Sequence, residues 1–190
     1  MSGKALDVLR ARGYVEWCNA EDRLREVMDE GMVTAYVGFD PTADSLHVGH
    51  LIPLMALAWL QRAGHRPIAL AGGGTGLIGD PSGKSKERNL ITVEAVRHNV
   101  EGVRSQLAHF LDFDCGANSA LLLNNYDWLS SCTFLDVLRD VGKYFSVNNL
   151  IAREYVRSRL EDPEKGISYT EFSYVLLQAM DFKHLYEAHG

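Results

Sequence analysis

A strand–turn–helix–strand pattern in the first part of the chain constrains its fold more than any other feature. Residues 33–39 and 67–71 are apolar, strand-like stretches, and residues 51–60 between them have the apolar character of a helix, which would stop at Gly64. A glycine run follows the second strand. Strand, helix and strand joined by glycine-rich turns form the βαβ unit of a doubly wound parallel sheet. We therefore predict an α/β fold whose ligands bind beyond the carboxyl ends of the strands.

The turn between the first strand and the helix contains two histidines, His47 and His50, with Gly49 just before the second. Such a turn presents free backbone N–H groups and the positive end of the helix dipole, which favour phosphate. Imidazoles placed there can donate hydrogen bonds to phosphate oxygens, and Gly49 leaves room for a flat ring or a sugar. The same pair could simply cap the helix. A zinc site is less favoured, because no third ligand of known spacing is evident.

Two glycine-rich runs imitate other nucleotide-binding sites. Residues 74–79 match GxGxxG, but a turn sequence follows them where a dinucleotide fingerprint should open a helix. We interpret these glycines as room for a substrate beside the strand end, not as an NAD site. Residues 79–85 resemble a phosphate-binding P-loop, but that run has three residues between its glycines where the loop needs four, and it contains Pro81. A P-loop kinase or GTPase is therefore disfavoured.

Composition limits the function classes further. The chain has 190 residues, 46% of them apolar, which is enough to bury a core. Its formal net charge of −6 argues against a broad basic surface that grips nucleic acid. No apolar run reaches membrane-spanning length, and the N-terminus has no signal-peptide core. The three cysteines have no CxxC spacing and indicate reduced thiols, so we expect a cytoplasmic protein with no membrane association and no metal site.

A polar stripe is predicted near the C-terminal end of the chain. Ser168 and Glu171 have the spacing of a capping box at a helix start. Tyr174, Gln178 and Asp181 follow at i, i+4 and i+7, so they share one face of that helix. The stripe could be a solvated face or the wall of a pocket. Tyrosine and glutamine are less common than lysine and glutamate on fully exposed faces, which favours the pocket.

Three segments in the same order along the chain resemble the bacterial-type tyrosyl-tRNA synthetases, which are class I enzymes. They are residues 36–51 with the HxGH motif, residues 79–84, and residues 171–182. The resemblance covers nearly the whole chain. It implies a Rossmann-like parallel sheet of the HxGH nucleotidyltransferase type with a helical connective insertion. It also implies L-tyrosine and ATP as substrates, with tRNA(Tyr) as the acceptor in the full-length enzyme.

The resemblance also implies a set of roles for individual residues. The tyrosine-binding residues are Tyr36, Asp80, Tyr174, Gln178 and Asp181. The ATP-binding residues are Gly38, Asp40, Thr42, His47, Gly49 and His50. The catalytic residues are Thr42, His47, His50, Lys84 and Arg88. In these roles Tyr36 and Asp181 hold the phenolic hydroxyl, the other three tyrosine-binding residues hold the ammonium group, and Lys84 and Arg88 help to neutralise the departing pyrophosphate.

The reaction implied is in-line attack of the tyrosine carboxylate on the α-phosphorus of ATP. It gives tyrosyl-adenylate and pyrophosphate, and transfer of the tyrosyl group to the 3′ end of a tRNA follows. Because the carboxylate is already ionised, catalysis consists of positioning and charge stabilisation. Mg²⁺ would arrive with ATP, and no tightly bound cofactor is expected.

The resemblance further implies a division of the chain. Its parts are an N-terminal helical segment (1–31), the first half of the nucleotide-binding fold (32–114), a connective segment that makes a homodimer contact (115–167) and a substrate-pocket helix (168–190). The second half of the family's fold, its KMSKS loop and its anticodon-binding region have no counterpart in this sequence, and Val48 stands where isoleucine is common.

Two interpretations follow. The chain is either the catalytic fragment of a synthetase, weakly active or inactive alone, or a non-catalytic module that binds tyrosine or nucleotide or forms a dimer. An HxGH nucleotidyltransferase of another pathway is disfavoured by the predicted tyrosine pocket.

Overall fold

The computed structural model describes residues 4–41, 43–79, 92–162 and 166–190. Its chain forms two compact units. The first comprises Met1–Ala71, Arg97–Leu123 and Gly190, and the second comprises Gly72–Val96 and Asn124–His189. The first unit contains the sheet and the second is built from helices, so the predicted α/β class is confirmed.

The elements follow one another in the order that the hydrophobic pattern predicts for the first part of the chain. They are α1 (Lys4–Ala11), α2 (Glu21–Glu30), β1 (Thr34–Phe39), α3 (Leu51–Arg62), β2 (Arg66–Ala71), α4 (Gly73–Ile78), α5 (Val93–Leu107), β3 (Leu121–Asn124), α6 (Tyr126–Leu129), α7 (Phe134–Asp136), α8 (Val147–Ile151), α9 (Glu154–Leu160) and α10 (Tyr169–His189). A 3-10 turn, Val48–His50, leads into α3.

The sheet of the first unit has the strand order β1-β2-β3. β1 and β2 are parallel, and their register pairs Thr34 with Arg66 and Phe39 with Ala71. The two strands therefore end at the same edge of the sheet, where parallel α/β sheets bind their ligands. The loop that carries His47 leaves β1 at this edge.

A hydrophobic core packs between the sheet and the helices of the first unit. Leu54 and Leu57 of α3 are fully buried in it, as is Leu107 at the end of α5. The other buried members are Ala5, Leu6, Leu9, Met28, Phe39, Ala58, Leu60, Ala69, Val103, Leu111 and Ala120. Burial of these side chains is the main force that holds α1, α3 and α5 to the sheet, at roughly 25 cal/mol for each Å² of apolar surface removed from water.

Two helix predictions need correction. The amphipathic pattern of residues 92–113 predicts one long helix, but the helix ends at Leu107. Beyond it, the side chain of Gln61 accepts a hydrogen bond from the N–H of Asp112 at 2.9 Å and donates one to its carbonyl at 2.6 Å, which draws the chain out of the helical path. The pattern of residues 133 to about 160 also predicts helix, but the structure breaks this run into short pieces, among them a π-helical turn at Val137–Val141.

The second unit is organised around α10, whose 21 residues contact α4 and α6. Its start matches the predicted capping box: Ser168 Oγ accepts from the N–H of Glu171 at 3.2 Å, and a Glu171 carboxylate oxygen accepts from the N–H of Ser168 at 3.0 Å. Arg159 of α9 reaches the same carboxylate with both terminal nitrogens, at 3.0 and 3.1 Å. In the part of the chain that the structure describes, no helix is long and apolar enough to span a membrane.

Candidate functional site

Residues 41–50, which we call the histidine loop, connect β1 to α3. His47 caps the 3-10 turn, and its Nδ1 accepts a hydrogen bond from the N–H of Gly49 at 3.1 Å. The Nδ1 of His50 accepts in turn from the N–H of His47 at 3.2 Å. The two rings stack with their centroids 3.8 Å apart and their planes 19° from parallel. The N–H of Gly49 therefore orients the His47 ring, and the N–H of His47 orients the His50 ring.

This arrangement determines which ring nitrogens can donate. A neutral imidazole that accepts at Nδ1 carries its proton at Nε2. Partial burial and the neighbouring charge of His47 lower the pKa of His50, and Asp40 only partly opposes this shift. The neutral form of His50 is thus favoured, and both rings present an Nε2–H group. Two adjacent donors of this kind suit an anionic oxygen.

Gly49 has a steric role between the two histidines. A Cβ at this position would lie 2.9 Å from Cε1 and 3.0 Å from Nδ1 of His47. These distances lie at or just below the shortest that real Cβ atoms show, so a side chain here would push the His47 ring away from its hydrogen bond. The glycine of the HxGH motif is required for the ring packing itself.

The second unit contains a buried polar cluster that we call the carboxylate network: Thr75, Asn125, Trp128 and Asp181. Asp181 of α10 accepts at Oδ2 from the side-chain amide of Asn125 and at Oδ1 from the indole N–H of Trp128, both at 2.9 Å. Asp181 is only 4% exposed. Burial raises its pKa, while the two hydrogen bonds and the nearby His184 act in the opposite direction. Within the described ranges no lysine or arginine forms an ion pair with this carboxylate.

Asn125 holds the carboxylate network together. Its Oδ1 accepts from the backbone N–H groups of Gly74 and Thr75, at 2.7 and 3.4 Å, and its Nδ2 donates to Thr75 Oγ1 at 3.0 Å as well as to Asp181. Both donors and both acceptor positions of the amide are therefore used. These bonds fix the rotamer of Asn125, and they therefore also fix the direction from which its Nδ2 donates to Asp181.

The same contacts explain a helix that the sequence did not predict. The glycine run after β2, interpreted from the sequence as room for a substrate, forms the helix α4 at Gly73–Ile78, and its first N–H groups are satisfied by Asn125. A Cβ on Gly73 would lie 2.0 Å from Oδ1 of Asn124. The glycine thus allows the close approach of the segment after β3, which propensity alone does not reveal.

The start of α10 is also held by charge. Burial alone would raise the pKa of Glu171, but the hydrogen bonds from Ser168 and Arg159 and the charge of Arg159 outweigh it and lower the pKa. The Arg159–Glu171 pair is nearly buried, with 12% and 7% of the two side chains exposed. This bidentate pair anchors the helix that carries Tyr174, Gln178 and Asp181.

Comparison with known proteins places this architecture in a family. Residues 28–189 match the family described as tRNA synthetases class I (W and Y). The chain belongs to this family. It is 57% identical to the tyrosine–tRNA ligase of Roseiflexus castenholzii over 185 residues, which are 97% of this chain and 43% of that protein. It is 54% identical to the tyrosine–tRNA ligase of Yersinia enterocolitica, covering 100% of this chain and 45% of that protein.

A solved structure supports the relation to this synthetase family. A C-terminally truncated mitochondrial tyrosyl-tRNA synthetase of Coccidioides posadasii superposes with a TM-score of 0.82 at 31% identity, covering 96% of this chain and 52% of the other. The present chain therefore spans less than half the length of the curated relatives named above. The resemblance inferred from the three sequence segments is confirmed.

The structure places the predicted synthetase residues as follows. In the first unit, Tyr36 and Gly38 lie on β1, Asp40 follows it, and His47, Gly49 and His50 lie together at the turn. In the second unit, Tyr174 and Asp181 are buried on α10, whereas Gln178 is exposed. Thr42, Asp80, Lys84 and Arg88 lie outside the described residues. All of these assignments remain predictions.

The sequence did not indicate that Asn125, Trp128 and Thr75 form a cluster with Asp181. Asn125 stands directly after β3, at the end where α/β sheets bind ligands, and this position was the signal that could have identified it. Nothing in the local pattern pairs it with Asp181. In the part of the chain that the structure describes, no group of three histidine, cysteine, aspartate or glutamate side chains is close enough to hold a metal ion.

Proposed function

We propose that this chain binds L-tyrosine and ATP and belongs to the catalytic region of a tyrosine–tRNA ligase. The observation that carries the proposal is the buried carboxylate of Asp181, which the neutral side chains of Asn125 and Trp128 hold in place and which forms no ion pair with a lysine or arginine among the described residues. Buried charges are normally paired, so an unpaired one that is held this rigidly indicates a site prepared for a ligand. Relatives at 54–57% identity are named tyrosine–tRNA ligases, which supports tyrosine as that ligand.

The chemistry of Asp181 suits a phenol. An ionised carboxylate only accepts hydrogen bonds, and each of its oxygens has a lone pair left after the bonds to Asn125 and Trp128. The hydroxyl of tyrosine supplies the missing donor. Phenylalanine would leave the buried carboxylate without it, and the cost of that loss is the basis of discrimination. Tyr36 stays the predicted second partner of the hydroxyl.

The histidine loop suits the phosphates of ATP. His47 and His50 each offer an Nε2–H donor, and the beginning of α3 adds its dipole. Two preoriented donors stabilise negative charge as it develops on the phosphate and the departing pyrophosphate. Mg²⁺ enters as part of the nucleotide substrate.

The reaction proposed for these residues is adenylation. A carboxylate oxygen of tyrosine forms a bond to the α-phosphorus of ATP while the bond from that phosphorus to the bridging oxygen of pyrophosphate breaks. The products are tyrosyl-adenylate and pyrophosphate, with no change of oxidation state. In the whole protein, the tyrosyl group would then pass to the 3′ end of tRNA(Tyr) in the cytoplasm, where free thiols such as those of the three cysteines persist.

The test is tyrosine-dependent exchange of labelled pyrophosphate into ATP, with tyrosine binding measured in parallel by equilibrium dialysis. We expect exchange above background that is abolished in His47→Ala and Asp181→Ala. Asp127→Ala, which removes an exposed carboxylate of α6, is the matched control and retains exchange. Replacing tyrosine with phenylalanine should also abolish exchange.

A second candidate function is a binding module without catalysis. This alternative is favoured because the chain spans only 43–45% of the length of the relatives named above. Tyrosine binding that depends on Asp181, without exchange, would establish this alternative. Binding of neither substrate would contradict both functions.

We also propose a homodimer. An apolar surface formed by α7, the helical turns after it and the start of α10 surrounds a groove of about 320 Å³. Phe134, Leu135 and Tyr169 are 63%, 75% and 61% exposed on this surface. Apolar side chains exposed together in this way mark an interface. Phe134→Asp, at an exposed side chain that lines the groove, should convert a dimer to a monomer in sedimentation equilibrium, whereas Leu160→Asp, at an exposed leucine of α9 that does not line the groove, should not.

A further inference from the structure

Helix α5 runs along the histidine loop within the first unit. Three of its residues, Asn99, Gly102 and Gln106, contact the loop segment before His47. Residues three and four positions apart lie on one face of a helix, so these three form a single contact face. The backbone groups that they contact belong to Pro41, Asp44 and Leu46, which lie in neither a helix nor a strand.

Gln106 makes the most specific of these contacts. Its Oε1 accepts a hydrogen bond from the backbone N–H of Leu46 at 2.9 Å, and its Nε2 lies 3.5 Å from the carbonyl oxygen of Asp44. Leu46 directly precedes His47. The glutamine amide therefore binds the backbone on both sides of Ser45 and fixes the point at which the chain turns toward the first histidine.

Asn99 binds the loop at its other end. Its Nδ2 donates to the carbonyl oxygen of Pro41 at 2.8 Å. The two amide side chains together hold the beginning and the end of the segment. Such side chain–backbone bonds replace the regular ladder that an irregular segment lacks.

Gly102 allows the helix to come this close. A Cβ at position 102 would lie 2.2 Å from the carbonyl oxygen of Asp44 and 3.1 Å from its carbonyl carbon. Both atoms belong to backbone, so they could not move aside as a flexible side chain does. Any side chain at this position would separate α5 from the loop and lengthen the bonds of Gln106.

We propose that Asn99, Gly102 and Gln106 are positioning residues that hold the histidine loop in the conformation in which both imidazoles face one phosphate group. This inference rests on the proposed function, since it assigns ATP phosphates to His47 and His50. It adds that the orientation of these rings depends on a helix with which they share no hydrogen bond. His47 is exposed, and its ring accepts a hydrogen bond from the N–H of Gly49 and stacks on His50, two residues that follow it in the chain, so its position depends on where Leu46 directs the backbone.

The first measurement is amide hydrogen exchange at Leu46, followed by NMR in the 190-residue protein. Exchange at a hydrogen-bonded amide reports the opening of that bond. We expect Gln106→Ala to speed this exchange about fivefold, the size expected for loss of one hydrogen bond. Gln106→Glu keeps an acceptor for Leu46 and should retain most of the protection. Ser105→Ala, which changes a neutral exposed residue of the same helix, should leave the exchange unchanged.

The second measurement is the dissociation constant of Mg·ATP, with that of tyrosine as a comparison. Gln106→Ala and Asn99→Ala should each weaken ATP binding about fivefold and leave tyrosine binding unchanged. A general loss of structure would weaken both. If Gln106→Ala does not fold, Asn99→Ala decides the question through the same two ligands.

Faster Leu46 exchange with unchanged ATP affinity would overturn the proposal, because the loop would then be held for a purpose other than ATP. Unchanged exchange in Gln106→Ala would overturn it as well. If the unsubstituted protein binds no ATP, the nucleotide part of the proposed function fails, and this inference fails with it. The result in the unsubstituted protein therefore separates the two failures.

Discussion

The histidine loop of the first unit and the carboxylate network of the second hold their polar side chains by different means. His47 and His50 are oriented by backbone amides two and three residues away along the chain. Asp181 is oriented by Asn125 and Trp128, which are 56 and 53 residues away in sequence. His47 is exposed and His50 half-buried, whereas Asp181 and Asn125 are almost completely buried.

This difference determines what each region can tolerate. Water can replace a lost hydrogen bond at an exposed ring, so a change in the loop should alter ligand binding more than stability. A buried donor or acceptor that loses its partner keeps its full desolvation cost. Substitutions in the carboxylate network should therefore lower stability and ligand binding together.

The largest effect is expected from Asn125→Ala. The substitution leaves the N–H groups of Gly74 and Thr75 and one oxygen of Asp181 without their partner, and we expect the free energy of unfolding to fall by about 3 kcal/mol. Urea unfolding measures this loss. Asn148→Ala, at an exposed asparagine of α8, is the control and should stay within about 0.5 kcal/mol of wild type. Equal stabilities of the two variants would show that the network is not structural.

An intermediate effect is expected from Asp181→Asn, and it depends on pH. Because burial raises the pKa of Asp181, the folded protein binds this proton more tightly than the unfolded chain does. Stability from this group is thus present at low pH and is lost as pH rises from about 4 through the raised pKa. The free energy of unfolding of wild type, minus that of Asp181→Asn, should decrease over this range.

Unfolding curves at a series of pH values measure this difference. Gln178→Ala lies on the same helix but changes no titratable group. The free energies of unfolding of wild type and of this control should therefore change with pH by the same amount. A difference between wild type and Asp181→Asn that does not change with pH would contradict the assignment of Asp181 as a buried, unpaired carboxylate.

The smallest effect is expected from His50→Gln. The pKa of His50 is lowered in the folded protein, so the unfolded chain binds this proton more tightly. Stability from this group is present above about pH 6.5 and is lost as pH falls through the lowered pKa. The change should stay below about 1 kcal/mol because the ring is partly hydrated.

Measuring the free energies of unfolding of His50→Gln and wild type between pH 7 and 5 tests the direction of this pH dependence. Wild type should lose stability relative to the variant on acidification, and Val48→Ala should follow wild type. The opposite slope would mean that His50 is stabilised as a cation, and the assignment of Nε2–H donors would then be wrong.

The sequence predicted the sheet and the histidine loop well because their signals are local. The apolar strands, the glycine stop at Gly64 and the spacing of His47 and His50 all lie within short windows. The start of α10 was predicted for the same reason, since Ser168 and Glu171 cap the helix through contacts three residues apart.

The sequence did not predict contacts between distant segments. The glycine run was not predicted to be helical, yet Asn125 caps it as helix α4 from 51 residues away. The helix predicted to reach residue 113 ends early because of Gln61, also 51 residues away from Asp112. The hydrogen-bond partners of Asp181 were not predicted for the same reason, because they are more than 50 residues away in sequence. Long-range side-chain bonds override local propensity, and they are where sequence patterns carry the least information.

The order of the strands has a consequence for synthesis. Across the sheet β1, β2 and β3 stand in the sequence in which translation produces them. Each strand can pair with the one completed just before it, and no later strand has to insert between two earlier ones. A ribosome adds about 5–20 residues per second and releases the N-terminal part first. The edge that bears the two histidines can thus form on the nascent chain before Asp181 has been added to it.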